Sequence, residues 1–149
     1  MANLIDNKKA RFNYELGDTF VSGINLLGLE VKSLKAKKGN FEGAYVGIRG
    51  KEAFLIGAEI PPYQPKNTPP EYDPRRPRKL LLSKKEIMKL AELEKERGLT
   101  LVPISVYNKG QYLKLSFAVG RGKKKADKRQ SIRRREDERE IHRTLKNQR

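Results

Sequence analysis

The run Thr100-Leu101-Val102-Pro103-Ile104-Ser105-Val106-Tyr107, the break Asn108-Lys109-Gly110 and the run Gln111-Tyr112-Leu113-Lys114-Leu115-Ser116-Phe117-Ala118-Val119 decide the fold class. Both runs are rich in β-branched, aromatic and aliphatic residues. The second sets Lys114 out of phase with Leu113, Leu115 and Phe117, the period of two expected of a half-buried strand. The glycine-containing break makes the pair a hairpin, with Lys114 on its outer face.

Working back from that hairpin, Ser83 opens a helix. Glu86 completes a capping box, Leu82 and Ile87 take the staple positions, Ile87, Leu90 and Ala91 form the inner face, and Gly98 stops it. Before it, seven of the chain's prolines fall between Pro61 and Pro77, where fixed φ and missing amide donors predict a long loop over residues 61–79. Residues 41–49 and 52–60 read as two strands joined at Gly50-Lys51, a two-residue turn. Leu27, Val31 and Leu34 recur at helical spacing, with Glu30, Lys32, Lys35 and Lys37 off the stripe, so a short helix ends near Gly39. From Phe12 to Leu26 the period of two returns, interrupted near Gly17-Asp18, and predicts one long strand with a bulge.

Past Gly120 the apolar pattern stops. Residues 121–149 carry thirteen Lys or Arg against five Asp or Glu, a net +8 that is half of the +16 of the whole 149-residue chain. Ile132, Ile141 and Leu145 are too few to offset the entropy of ordering such a segment, so it is expected to be disordered alone. Its helix formers and its acid–base spacings of three and four make a helix latent once it binds. The expected architecture is mainly β with short helices, five or six antiparallel strands closing a small barrel for which the oligonucleotide-binding (OB) fold is one solution. The division is a basic N-terminal segment (1–11), an OB-like barrel (12–120) and a basic C-terminal tail (121–149).

The charge points to a polyanionic partner, nucleic acid before an anionic membrane, because apolar runs such as Leu80-Leu81-Leu82 are too short for membrane attachment. No apolar signal core follows Met1, which predicts a cytoplasmic protein. With no cysteine, one histidine (His142, in the tail), no phosphate-loop glycine pattern and no carboxylate cluster, the sequence offers no catalytic set, and neither a cofactor nor a metal is expected. A ribosomal protein or general RNA chaperone with a basic extension shares these properties.

Specific residues go further. Asn7-Lys8-Lys9-Ala10-Arg11, Gly23-Ile24, Gly28-Leu29-Glu30-Val31-Lys32-Ser33-Leu34, Ala44-Tyr45-Val46, Glu52-Ala53-Phe54-Leu55, Asp73-Pro74-Arg75-Arg76-Pro77-Arg78-Lys79-Leu80-Leu81-Leu82, Gly98-Leu99-Thr100-Leu101-Val102-Pro103 and Gly120-Arg121-Gly122-Lys123-Lys124-Lys125-Ala126-Asp127-Lys128-Arg129 stand in order along nearly the whole chain. Each motif alone is weak, but the ordered set resembles the SsrA-binding protein (small protein B) family of bacterial trans-translation. That resemblance implies a monomeric protein whose barrel grips the tRNA-like domain of transfer-messenger RNA. It also implies a tail that enters the decoding centre and vacant mRNA channel of the small subunit of the 70S ribosome, where it becomes helical.

Carried over residue by residue, the resemblance makes Asn7, Lys8, Arg11, Glu30, Lys32, Arg75, Arg76, Arg78, Lys79, Leu81 and Lys114 the RNA-binding set. The ribosome-binding tail set is Lys123, Lys124, Lys125, Asp127, Lys128, Arg129, Ile132, Arg133, Arg134 and Arg135. Against each stands a plainer reading. Asn7, Lys8 and Arg11 also suit a frayed basic terminus, and spacing favours a surface ion pair for Glu30. The four loop cations suit a solvated loop, Leu81 suits the core, and Asp127-Lys128-Arg129 suits a charged linker. Phe41, Tyr45, Phe54, Tyr107, Tyr112 and Phe117 read mainly as core, and none is assigned as a platform for a base. The chain departs from the family pattern at Val21, where many relatives carry Glu, and at Ala126, where an aromatic residue or His often precedes the Asp-Lys-Arg triplet.

Overall fold

The computed structural model describes residues 3–123. The tail expectations from Lys124 onward lie outside the described residues. Within them run the strands β1 (Asn3–Asp6), β2 (Tyr14–Ile24), β3 (Tyr45–Arg49), β4 (Glu52–Ile56), β5 (Arg78–Leu81), β6 (Leu99–Lys109) and β7 (Tyr112–Gly122). The helices are α1 (Ala10–Asn13), α2 (Gly28–Lys35) and α3 (Lys84–Lys95).

The sheet order is β1-β6-β3-β4-β5-β2-β7, and β6 also pairs with β7. Every pairing is antiparallel. Six strands therefore close into a ring, the expected small barrel, and closure removes the open edges of those strands. β1 shares an edge of β6 with β3, since Val46 faces Leu101 while Asn3 and Asp6 face Tyr107 and Ser105.

The interior is filled by the in-phase residues of each strand. Leu115 and Phe117 from β7, Leu101 and Val106 from β6, Val46 from β3 and Leu55 from β4 are all buried. Phe117 stacks on Phe20 with ring centroids 5.5 Å apart. Burying each of these side chains contributes roughly 1.5–3 kcal/mol, which makes the barrel, rather than its loops, the stable unit. The β2 bulge falls between Leu16 and Thr19 in the pairing with β7, at the predicted Gly17-Asp18. At the far end of that ribbon Gly120 is hemmed in, because an added Cβ would lie 2.7 Å from Val102 Cγ2 and 3.1 Å from Tyr14 Cβ.

Several boundaries differ from the sequence reading. Phe12 lies in the helical turn α1, and β2 starts only at Tyr14. Residues 3–13 are folded onto the barrel rather than frayed, with Leu4, Ile5 and Ala10 buried. The proline-rich loop ends two residues earlier than expected, because Arg78 and Lys79 belong to β5, where Lys79 pairs with Phe54. Lys109 pairs with Tyr112, so the last turn is Gly110-Gln111, with Gly110 at a φ of 62° that a side chain would resist. The capping box at Ser83 is formed as expected, Ser83 Oγ accepting from the Glu86 amide at 3.2 Å.

In α2 the stripe is rotated from the predicted one. Leu34 is buried, but Leu27 is the exposed N-cap, and Glu30, placed off the stripe by spacing, is wholly buried. The hydrophobic count missed this because a carboxylate can enter a core when enough donors meet it.

Candidate nucleic-acid interface

The basic residues of the Asp73–Leu82 stretch separate into two sets. Arg78 has no exposed surface. Its Nε donates to Glu30 Oε2 at 2.8 Å, Nη1 to the Ala58 carbonyl at 2.6 Å and Nη2 to the Pro74 carbonyl at 2.8 Å. Arg76 forms a second ion pair with Glu30, and the Leu27 amide donates to Glu30 Oε1 at 2.8 Å. The Tyr72 hydroxyl donates to the Ile60 carbonyl at 2.7 Å and lies 3.2 Å from Glu30 Oε2. Burial by itself would raise the Glu30 pKa. Hydrogen bonds from Arg76, the Leu27 amide and Arg78 outweigh it, holding the carboxyl below its ordinary 4.5. Burial, and then the Glu30 charge, push the Tyr72 hydroxyl up.

This junction fastens the start of α2 to β5 and to the proline-rich loop. Glu30 and Arg78 are therefore interior brace residues, and neither side chain presents surface in this structure. Arg76 is mostly committed to the brace, while Arg75 pairs with Glu59 at 3.2 Å and Lys79 with Glu52 at 3.1 Å on the surface. Asn7 also turns inward, its amide donating to the Pro103 carbonyl at 2.8 Å. Lys8, Arg11 and Lys32 are exposed.

A second arrangement faces outward. Gly23 in β2 sits opposite Leu81 on one side and Lys114 on the other. Residues directly opposite across antiparallel strands share a face, so Leu81 and Lys114 stand on the outer wall with a bare glycine between them. An added Cβ at Gly23 would lie 3.2 Å from Leu81 Cβ, so the glycine is what leaves that row open. The row is the floor of a groove of about 280 Å³, with Val31 and Lys35 of α2 on one flank and Tyr112 on the other. Leu81 is 59% exposed and Tyr112 64%. Leu81 is thus on the surface and not in the core, where the plainer reading put it. Val21, half exposed, is two residues along the same face of β2. Apolar side chains that can lie against ribose or base, flanked by two lysines for phosphates, are the elements of a shape-reading RNA site.

Tyr112 and Lys35 were missed by sequence reasoning. Tyr112 shares the phase of Lys114, a signal that was available. A larger open cleft of about 740 Å³ lies elsewhere, where β3 diverges from α1 and β1, and Tyr14, Tyr45, Lys8 and Lys9 are in its lining. Of the tail set, Lys123 is within the described residues, and its amide donates to the Asn13 carbonyl at 3.0 Å. The remaining tail residues lie outside them.

The chain matches the model of the SmpB protein family over residues 4–147. The SsrA-binding protein of Microcystis aeruginosa is 48% identical, covering 96% of this chain and 93% of the relative. That of Trichormus variabilis is 46% identical over 97% and 93%. A chain of the solved structure "tmRNA-SmpB: a journey to the center of the bacterial ribosome" superposes with a TM-score of 0.68 at 40% identity. It spans 87% of this chain and 94% of that one.

Proposed function

From the chain's membership of the SmpB protein family, which the full-length match establishes, we propose that it binds the tRNA-like domain of transfer-messenger RNA and delivers it to stalled ribosomes for trans-translation. It is a binding protein rather than an enzyme and works in the cytoplasm, where ribosomes are. No helix among the described residues is long and apolar enough to cross a membrane.

The observation that carries the reading at residue level is the row Leu81-Gly23-Lys114, an apolar and cationic strip on an otherwise closed barrel wall. Leu81, Lys114, Lys32 and Lys35 face the RNA, and Glu30 with Arg78 holds α2 and β5 at the spacing that the groove needs. Lys8 and Arg11 supply phosphate contacts from the N-terminal side. The tail, from Lys123 through Arg135, enters the decoding centre and vacant mRNA channel, its cations meeting ribosomal RNA phosphates.

Removing residues 126–149 tests this division of labour. The shortened protein should bind transfer-messenger RNA as tightly as the full chain but fail to support tagging on stalled ribosomes. Loss of RNA affinity on truncation would overturn the division, and recovery of other RNAs from cells, without transfer-messenger RNA, would overturn the function.

A further inference from the structure

One wall of the groove is α2, whose Val31 and Lys35 stand over the Leu81-Gly23-Lys114 row. Its buried residues are Glu30, Ser33 and Leu34, and only Leu34 of these is apolar. Glu30 and Leu34, four apart, form one row along the helix, anchored by the ion pairs at one end and by core packing at the other. At about 100° per residue, Ser33 and Lys35 point nearly opposite ways from the axis, on the two flanks of that row. A helix held along one row can still roll about it, and a tie on the Ser33 flank fixes where Lys35 comes to rest.

That tie comes from the proline-rich loop. Ser33 Oγ donates to the Pro61 carbonyl at 2.6 Å, where the loop begins. Near its end, the Tyr72 hydroxyl shares its proton between the Ile60 carbonyl at 2.7 Å and Glu30 Oε2 at 3.2 Å, and accepts from Arg78 Nη2 at 3.3 Å. Just past α2, the Lys38 ammonium lies over the Tyr63 ring of the same loop, 5.4 Å from its centre. The loop is built to resist being pulled. Its base is closed by the Ile60 amide donating to the Pro74 carbonyl at 2.9 Å, the Tyr72 amide is bonded to the Pro69 carbonyl at 3.0 Å, and prolines fix φ at Pro61, Pro62, Pro65, Pro69 and Pro70.

We propose that Ser33 and Tyr72 are positioning residues of the groove, through which the proline-rich loop sets the roll of α2 and so the place of Val31 and Lys35 against the RNA. This rests on the reading that the groove takes the tRNA-like domain of transfer-messenger RNA. Neither residue faces the groove: Ser33 is wholly buried, and Tyr72 reaches Glu30 from the loop side. Both are neutral, so removing their hydroxyls leaves the pairs of Glu30 with Arg76 and Arg78 in place. The helix then stays attached by its anchored row while its roll is released, and a site held too loosely by its supporting residues binds more weakly.

The test titrates transfer-messenger RNA with the full chain carrying Ser33→Ala and Tyr72→Phe together. A wild type that does not bind rejects the functional reading and this inference with it; every other outcome bears on the inference alone. The paired variant should keep the circular dichroism of wild type and bind about five-fold more weakly, with a slope of log affinity against log salt lower by about 1. A double-mutant cycle then separates positioning from lost fold. Lys35→Ala should cost less affinity in the paired variant than in wild type, because the lysine has already left its phosphate, whereas Lys114→Ala, on β7, should cost the same in both. Undiminished affinity of the paired variant overturns the inference. A loss that leaves the cost of Lys35→Ala unchanged marks a smaller folded fraction and overturns it, as does an equal fall in the cost of Lys114→Ala, which would place the effect on the whole site. Should the paired variant not fold, Ser33→Ala and Tyr72→Phe go singly through the same cycle, and an unchanged cost of Lys35→Ala in both overturns the inference.

Discussion

The Glu30 junction, which ties α2 to β5, and the Leu81–Lys114 row, which crosses β5, β2 and β7, share strand β5, yet they treat charge in opposite ways. In the junction the central charges are enclosed and met: Glu30 and Arg78 have no exposed surface, each receives or gives several hydrogen bonds, and Arg76 closes the outer side. In the row a lysine and a leucine stand on the outside of the wall with an empty glycine position between them. A basic motif is therefore not a uniform RNA-binding element. Arg78, with its planar fork, takes the interior position that needs several fixed bonds, while Arg75 and Lys79 of the same motif stay outward.

Breaking the interior half should have the largest effect. Glu30→Ala leaves Arg78 buried without its counter-charge, and loss of one partner of such a pair costs about 3–5 kcal/mol. A denaturant titration should show this, with RNA affinity failing only as the fold fails. The same residue sets an acid limit. Its folded pKa lies below its ordinary 4.5, so its stabilisation is fully present above that value and is lost as pH falls through the folded pKa. Wild-type stability should therefore drop with acidification below about pH 4.5, and Glu30→Gln, already weaker, should lose less over that window. An equal slope in both proteins would remove Glu30 from the acid response.

Breaking the exterior half should leave the fold alone. Leu81→Ala and Lys114→Ala should each weaken transfer-messenger RNA binding on the order of ten-fold, with unchanged melting temperature. They differ in salt response. Lys114→Ala should lower the slope of log affinity against log salt by about 1, the signature of one lost phosphate contact, while Leu81→Ala should leave the slope intact. A fall in melting temperature with either variant would move that residue to the structural side of the comparison.

The contrast also explains what the sequence could disclose. Period-two alternation placed β2, β6 and β7, and Ser83 with Glu86 marked the start of α3, because each signal is local. Arg78 and Lys79 read as loop because the proline run before them dominated, and because four-residue β5 earns its place only by pairing with β4 and β2. Glu30 read as a surface residue because its partners, Tyr72, Arg76 and Arg78, come from more than forty positions away. The exposed row was half legible: the phase of Lys114 pointed outward, and Tyr112 shares it, but the register that brings Leu81 beside Gly23 is a fact of closure. The full set of family motifs was readable in order, since resemblance does not require knowing which motif residues are interior.

One buried polar group shows what happens when the interior rule is not met. Ser22 lies on the inward face of β2, opposite Leu115, only 3% exposed, and its Oγ has no hydrogen-bonding partner among the described residues. Glu30 is tolerated in the core because its oxygens are met, whereas an unmet hydroxyl is a net cost of about 1–3 kcal/mol. Ser22→Ala removes that cost and leaves only a small gap, so it should raise stability by up to about 1 kcal/mol, read as an upward shift of the urea midpoint with unchanged slope. RNA affinity should not move, because Val21 and Gly23, not Ser22, face the groove side of the strand. A lower midpoint would mean that the hydroxyl is bonded to an internal water, and Ser22 would then be a satisfied buried polar group, as Glu30 and Arg78 are.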